Sequence, residues 1–446
     1  MAAFAIASGS AAAGLFLPQQ SGRSGGAQEA DATPDKGIDP HAFGMHLVGV
    51  TGWDQDGTTP LNTPRHTFGC RSLRIWDCGV PWWRIESSRG RYDWSRLNAE
   101  MRIWTVGYDD IIYCLGQTPN WASGEMETSG WTRPAPPRII ADAANFVTAL
   151  LERYPQITAV ECWNEPENRH FYTGSIQDLV DLTLAQSAAA RSVRPGVKVL
   201  SACPQSFGDR GSYLRAYLRV LFKANPRSID VVSVHTYVMP RQPEAIYELV
   251  RGLREIIVAE GFGHLPMWST EFGWGGVPGA PRAGGFVDWR SGSNVFEPFR
   301  VMDQCQAQAL QRQYFYAADK KFSAIRLLDF NSNNKVLPPG AALTYLSGLL
   351  AGGAIGALDR AGPVFRVPIR TAQGREGQAL WCADGNSSRV ELGWASEIRS
   401  VTGFDAGAAR PHGRSRTRRL SRWRGQFPIR SRLIMRTRAW SRDRCG

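Results

Sequence analysis

Ile157-Thr158-Ala159-Val160-Glu161-Cys162-Trp163-Asn164-Glu165-Pro166 is the stretch whose reading decides the fold. A short apolar run that ends in a polar turn has the length and composition of a buried β-strand. Leu265-Pro266-Met267-Trp268-Ser269-Thr270-Glu271-Phe272-Gly273-Trp274 repeats that context: Glu271, like Glu165, closes a short apolar run. A carboxylate at the end of a hydrophobic strand does little for packing. At the C-terminal mouth of a parallel barrel, however, it stands where side chains act on ligands.

Outward from these two runs, the chain from about residue 40 alternates short β-like segments with helical periodicity, the pattern of repeated βα units. The expected strands are Phe43–Gly49, Leu73–Gly79, Asp110–Gly116, Thr158–Asn164, Lys198–Pro204, Ile229–Tyr237, Leu265–Glu271 and Phe322–Asp329. Between them, apolar residues at 139, 140, 143, 146, 147, 150 and 151 mark one face of a helix. Ser175-Ile176-Gln177-Asp178 is a capping-box pattern with Asp in the usual Glu position. Pro243 and Gly261 bracket a further helix, Glu244–Glu260, in the Pro-first, Gly-last order. Eight such units predict an α/β chain, a (β/α)8 TIM barrel, over 40–360.

The rest of the chain is expected to be subsidiary. Residues 361–405 predict a partial, truncated β-domain, with strands Val364–Ile369 and Gln378–Cys382. Residues 406–446 predict a disordered Arg-rich tail, either a polyanion-binding arm or an out-of-frame stretch. The formal charge of +12 comes from that tail: residues 410–446 hold 13 Arg and one acidic residue, so 1–409 sum to zero. The barrel is therefore expected to bind no nucleic acid. Met1–Leu17 is small and apolar, like the later part of a secretory signal, and Gln19–Asp39 is a polar, Gly-rich linker, so 1–39 stands outside the fold. Export to the periplasm or medium is the expectation, with a cytoplasmic location as the alternative. The leader is too short and too rich in small residues for a membrane span. The eight Cys lie singly, without Cys or His neighbours at metal-ligand spacing. No metal, no cofactor and no disulfide framework are expected, and the chain is expected to be a monomer.

Trp163-Asn164-Glu165-Pro166 on the fourth strand, Thr270-Glu271-Phe272 on the seventh, and upstream Tyr92-Asp93-Trp94 and Thr118-Pro119-Asn120-Trp121-Ala122 resemble the motifs of clan A glycoside hydrolases. The likeness is greatest to glycoside hydrolase family 39 and related bacterial exopolysaccharide-associated glycosidases, and it covers roughly 40–360. The resemblance implies retaining hydrolysis of a β-linked oligo- or polysaccharide. It makes Glu165 the general acid/base and Glu271 the nucleophile. It places Asn164 on a sugar hydroxyl, Arg74 beneath the nucleophile, Tyr237 in hydrogen-bond reach of Glu271, and His235 on substrate or a carboxylate.

The chemistry of the residue types is consistent with that assignment. Two carboxylates close together serve as nucleophile and acid, provided one is held ionised and the other can carry a proton. His235 and Tyr237, two apart, share a strand face. Glu161 shares strand parity with Trp163 and Glu165 and is expected to pair with a basic group inside the barrel. Glu167 follows the motif into the cleft, and Glu125 and Glu127 are expected in solvent. Trp121, Trp274 and Trp53 are candidate platforms for sugar stacking, in a chain with 16 Trp. Many clan A barrels end strand eight with a Trp. Here that strand reads Leu327-Leu328-Asp329-Phe330-Asn331, so Phe330 or Trp274 must serve instead. The alternatives are an inactive barrel that binds glycans, and a polyanion-binding protein acting through the tail.

Overall fold

The structure, a computed structural model, describes residues 38–48, 67–76, 78–125, 133–205, 211–238, 245–272, 310–318, 328–329, 335–336, 343–344, 347–356, 359–361, 364–382, 388–390, 398–402, 427–429 and 434–437. The chain divides into two units. Pro40–Ser347 is one, and the other holds the strands after Gly348 together with the segment before Pro40.

The first unit is built on eight parallel strands: β1 (Phe43–Val48), β2 (Ser72–Ile75), β3 (Asp110–Cys114), β4 (Ile157–Glu161), β5 (Lys198–Leu200), β6 (Val232–His235), β7 (Met267–Phe272) and β8 (Leu310–Ala318). Their order is β5-β4-β3-β2-β1-β8-β7-β6. The two ends meet through a parallel bridge between Leu200 and Val231, reinforced by Asp230 N–H donating to the Val199 carbonyl (2.8 Å) and Ser201 N–H to the Val231 carbonyl (3.0 Å). This is a (β/α)8 barrel. Between the strands lie α1 (Ser95–Trp104), α2 (Ile140–Arg153), α3 (Ile176–Val193), α4 (Ser212–Ala224) and α5 (Ile246–Ala259).

The helices form where the pattern places them. α2 buries Ala143, Phe146, Val147, Leu150 and Leu151, while Ile139 lies outside its first turn and is exposed. α3 opens with the capping box: Ser175 Oγ accepts from Asp178 N (3.1 Å) and Asp178 Oδ2 accepts from Ser175 N (2.8 Å). Inside the barrel, Ile112, Ala159, Leu200, Val231, Trp268 and Tyr314 form one buried cluster. Gly44 is required there, because a Cβ at that position would stand 2.3 Å from the Tyr314 ring on the neighbouring strand.

Two expectations need correction. The eighth barrel strand is Leu310–Ala318, whereas Leu328–Asp329, at the end of the expected strand, pairs antiparallel with Lys335–Val336. Leu310–Ala318 begins Leu-Gln-Arg-Gln, a poor strand pattern by itself. Burial of Arg312 is compensated by an ion pair with Asp110, whose carboxylate also accepts from Ser72 Oγ (3.0 Å) and Thr158 Oγ1 (2.8 Å). The Arg312 guanidinium also lies 4.0 Å from the Trp268 ring centroid.

The second correction concerns the tail, expected to be unstructured throughout. Phe427–Ile429 pairs with Ser388–Val390, and Ile434–Thr437 pairs with both Gly377–Ala379 and Ile398–Thr402. These are the segments of the Arg-rich region that carry apolar and β-branched residues, so they can join a ladder. The sheet of this second unit is organised around the antiparallel hairpin of Val364–Arg370 and Glu376–Cys382.

The packing sets opposite outcomes for two glycine substitutions. Gly44→Ala should destabilise the protein by about 1–3 kcal/mol through overpacking. Gly252→Ala, on α5 with no atom near an added Cβ, should stabilise it by about 0.5–1 kcal/mol. Urea midpoints for the two variants and the parent check both signs.

Candidate active site

Strand register brings the polar residues of the barrel interior together. His46 on β1 is in register with Arg74 on β2, Cys114 on β3 with Glu161 on β4, and His235 on β6 with Glu271 on β7. Asn164 and Glu165 follow β4 directly, held by a parallel bridge from Asn164 to Cys203 and by Glu165 N–H donating to the Cys203 carbonyl (2.8 Å). Glu165 has φ of 42°, a left-handed conformation uncommon for a residue with a side chain. Such strain persists where surrounding structure over-determines it, and it clusters at functional sites. The loop after β3 also turns through unusual backbone: Gly116 has φ of 140°, and a Cβ there would lie 3.4 Å from the Trp163 ring.

Arg74 is the hub. Its side chain has no exposure to solvent, and every arm is engaged. Nε donates to Glu161 Oε2 (2.7 Å), Nη2 to Asn164 Oδ1 (2.7 Å), and Nη1 to Glu271 Oε2 (3.0 Å). Nη1 also reaches His46 Nδ1 at 3.2 Å. Glu161 thus pairs with a basic group inside the barrel, as its strand parity implies, and it also accepts from Ser233 Oγ. His46 was not singled out in the sequence. The signal for it is a lone histidine in the otherwise apolar run Phe43–Val48. Its Nε2 can only donate to the Trp76 carbonyl (3.1 Å), so in the neutral ring Nδ1 accepts from Arg74. Burial lowers its pKa, which favours that neutral form.

Glu271 is surrounded by donors and positive charge. Tyr237 Oη donates to its Oε1 (2.7 Å) and Arg74 to its Oε2, and the protonated His235 lies nearby; the neutral His46 ring is the further neighbour, its Nδ1 3.1 Å away. Burial alone would raise its pKa. His235 and then Arg74, the charged groups beside it, outweigh burial and hold the carboxyl well below the usual carboxylate range. His235 stands between the two glutamates. Its Nδ1 is 2.8 Å from Glu165 Oε1, and its Nε2 is 3.8 Å from Glu271 Oε2 and has no hydrogen-bond partner. Burial disfavours the imidazolium, but Cys203, Glu271 and the bond to Glu165 raise the His235 pKa well above its ordinary value. The Cys203 thiol is itself pushed up by burial and is uncharged near neutrality, so the carboxylates hold that proton.

One donor atom each from Glu165, His235 and Glu271 lie within 4.8 Å of one another, a spacing that a metal ion can bridge. The charges favour a different reading. Glu271 already neighbours a buried guanidinium, and His235 carries a proton against Glu165, so a cation would be repelled by the first and displace the second.

The remaining sequence candidates are dispersed. Trp121 is half-buried; its Nε1 donates to the Glu86 carbonyl (2.9 Å), and its ring meets Trp82 edge-on at 6.2 Å and the Arg89 guanidinium at 5.4 Å. Glu125 is exposed. Trp53, Glu127, Trp274 and Phe330 lie outside the described residues. Glu167 accepts from Gln205 N–H (2.6 Å) on one oxygen, while the other is buried without a partner. Burial pushes its pKa up to about 7.

Neither family models nor curated protein sequences match the chain; solved structures do. It resembles a family 39 glycoside hydrolase from the gut symbiont Bacteroides cellulosilyticus (TM-score 0.63, 15% identity, covering 84% of this chain and 77% of that one). It also resembles a monomeric β-xylosidase from Caulobacter crescentus (TM-score 0.56, 17% identity, 82% and 83% covered). A glucosidase from Croceicoccus marinus is a further neighbour (TM-score 0.54, 13% identity, 75% and 76% covered). The chain shares the (β/α)8 fold of these proteins. Among the described residues, no helix is long and apolar enough to cross a membrane.

Two predictions follow from this geometry. Glu161→Ala strips Arg74 of its most buried counter-ion and should cost about 3–5 kcal/mol in chemical denaturation. Glu167 binds its proton more tightly folded than unfolded. Its contribution is therefore complete below the unfolded pKa of about 4.3 and is lost as pH rises through about 7. Stability should fall over that window in the parent and fall less in Glu167→Gln, as thermal midpoints measured across pH 4–8 will report.

Proposed function

We propose that the protein is a retaining glycoside hydrolase that cleaves a β-linked glycan by double displacement, with Glu271 as nucleophile and Glu165 as general acid/base. The observation that carries this reading is the close approach of the two carboxylates at the ends of β4 and β7, with donor oxygens within 4.8 Å, in unlike electrostatic surroundings. Retaining enzymes keep their carboxyl groups about 5–5.5 Å apart, whereas inverting enzymes need about 6.5–9.5 Å to admit a water.

Each role fits its environment. Glu271, ionised beside Arg74 and held by Tyr237, attacks the anomeric carbon while Glu165 protonates the departing oxygen. The glycosyl ester that forms on Glu271 carries no charge. Arg74 is not stranded by that loss, because Glu161 remains its counter-ion. The proton that Glu165 delivers is the one it shares with His235 (Nδ1 to Oε1, 2.8 Å), so the ester forms beside a Glu165 carboxylate. Glu165 then takes a proton from the water that hydrolyses the ester. Asn164 has its carbonyl end committed to Arg74, which leaves its amide N–H groups for the sugar hydroxyl next to the reacting carbon.

Export and a carbohydrate substrate fit this reading. Glu271→Gln should abolish turnover. Glu165→Ala should nearly abolish cleavage of natural glycans yet spare aryl glycosides with good leaving groups, which need no acid in the first step. A glycan-library digest with product analysis tests the whole reading: β-configured first products support it, whereas binding without release of reducing ends, or inverted products, overturns it.

A further inference from the structure

A chain of hydrogen bonds leads from Glu161 toward His235 without passing through Arg74. Ser233 Oγ on β6 donates to Glu161 Oε1 on β4. The same Oγ lies 2.8 Å from Thr270 Oγ1 on β7, which lies 3.2 Å from the Sγ of Cys203, just after β5. All four side chains are fully buried. Cys203 also fastens the turn that carries Glu165: its N–H donates to the Trp163 carbonyl and its carbonyl accepts from Glu165 N–H, both at 2.8 Å. The next carbonyl, that of Pro204, accepts from His235 N–H (3.2 Å), and Thr270 directly precedes Glu271. The chain of bonds therefore touches each segment that presents Glu165, His235 or Glu271.

One arrangement of protons suits this chain. Glu161, ionised beside Arg74, can only accept. It takes the single proton of Ser233 in a charge-assisted bond, which leaves Ser233 Oγ to accept from Thr270. The Thr270 proton is then committed, and its oxygen accepts from the Cys203 S–H. Burial keeps that thiol protonated. With its hydrogen on Thr270, Cys203 turns sulfur lone pairs, not hydrogen, toward its other neighbours. His235 is one of them. Burial works against its imidazolium, whereas Cys203, then Glu271 and Glu165, favour it.

His235 has other titratable groups around it: Glu167 beyond Glu165 on the turn after β4, Glu161 on β4, His46 on β1, and Tyr237 two residues on. Arg74 holds Glu161 and Glu271. Glu165 and Glu271 supply the main attraction for the His235 proton. The sulfur adds a neutral contribution whose direction the hydroxyls fix, since hydrogen bonds in series polarise one another in a low-dielectric interior.

We infer that Ser233, Thr270 and Cys203 are positioning residues that relay the pull of Glu161 to the Cys203 sulfur and so hold the proton that His235 shares with Glu165. The inference rests on the hydrolase reading. The three residues act through His235 and Glu165, not on substrate.

The test compares three variants of the full chain. Thr270→Val keeps the side-chain shape and removes the hydroxyl, Thr270→Ser keeps the hydroxyl, and Cys203→Ala removes the sulfur. In Thr270→Val the Cys203 hydrogen is released toward its other neighbours, so the shared proton should leave at lower pH. The alkaline limb of kcat/KM for a glycan should move down by about 0.5–1 pH unit, the scale of one net hydrogen bond. Cys203→Ala should move it the same way, and stands in if Thr270→Val does not fold; Thr270→Ser should restore the parent limb. Aryl glycosides with good leaving groups need no acid in the first step, so their alkaline limb should not shift. Unmoved limbs in Thr270→Val and Cys203→Ala, or a uniform loss at every pH on both kinds of substrate, would overturn the relay and leave the hydrolase reading standing. A second readout is independent of turnover. The His235 imidazole, assigned by NMR against His235→Gln, should stay charged to higher pH in the parent than in Thr270→Val, and equal titrations overturn the relay. If the parent cleaves neither glycan nor aryl glycoside, the hydrolase reading falls and the imidazole titrations alone decide the relay.

Discussion

A single buried guanidinium organises the interior of this barrel. Arg74 touches a residue from β1, β3, β4 and β7 or from the turn just after β4. Taking such a charge out of water costs several kcal/mol, a cost met only if its counter-ions and acceptors are held in good geometry. Glu161 is the permanent partner and Glu271 the second. The sum is an arrangement in which two buried carboxylates share one guanidinium. Asn164, oriented by the same arginine, ties the turn after β4 to that hub.

Around the hub, protonation is divided among groups of similar type. His46 and His235 are both fully buried, yet one is pushed toward neutrality and the other toward the imidazolium. The difference lies in their partners. His46 faces a carbonyl, a guanidinium and one carboxylate, whereas His235 faces two carboxylates. Positive charge is therefore kept beside Glu271, and the His235 proton lies next to Glu165. The partnerless Nε2 of His235 and the partnerless oxygen of Glu167 flank the same turn, polar groups that a bound substrate or ordered water can satisfy.

Much of this was legible in the chain, for identifiable reasons. Strands β1 to β7 and the helices α2, α3 and α5 announce themselves through local pattern: apolar runs, 3.6-residue periodicity, a capping box and a terminal glycine. Parity along β4 and β6 put Glu161, and the pair His235 and Tyr237, on the inner face. The misses were of another kind. Strand β8 begins Leu-Gln-Arg-Gln and is stabilised by Asp110, a residue two hundred positions away, so no local pattern could locate it. His46 is one histidine in an apolar strand, and only the register with Arg74 gives it a chemical role. In the tail, two short apolar segments pair with strands of two separate antiparallel sheets despite a composition that favours disorder.

The sequence by itself determined the kind of fold and named the two glutamates, because strand ends and apolar periodicity are local properties of the chain. Tertiary structure decided what the local pattern cannot contain: which strand closes the barrel, which histidine carries a proton, and that Arg74 binds Glu161, Asn164 and Glu271 at once. Those outcomes depend on through-space electrostatics between residues on different strands, and charges that share a low-dielectric interior set one another's state only when the fold has brought them within a few ångströms.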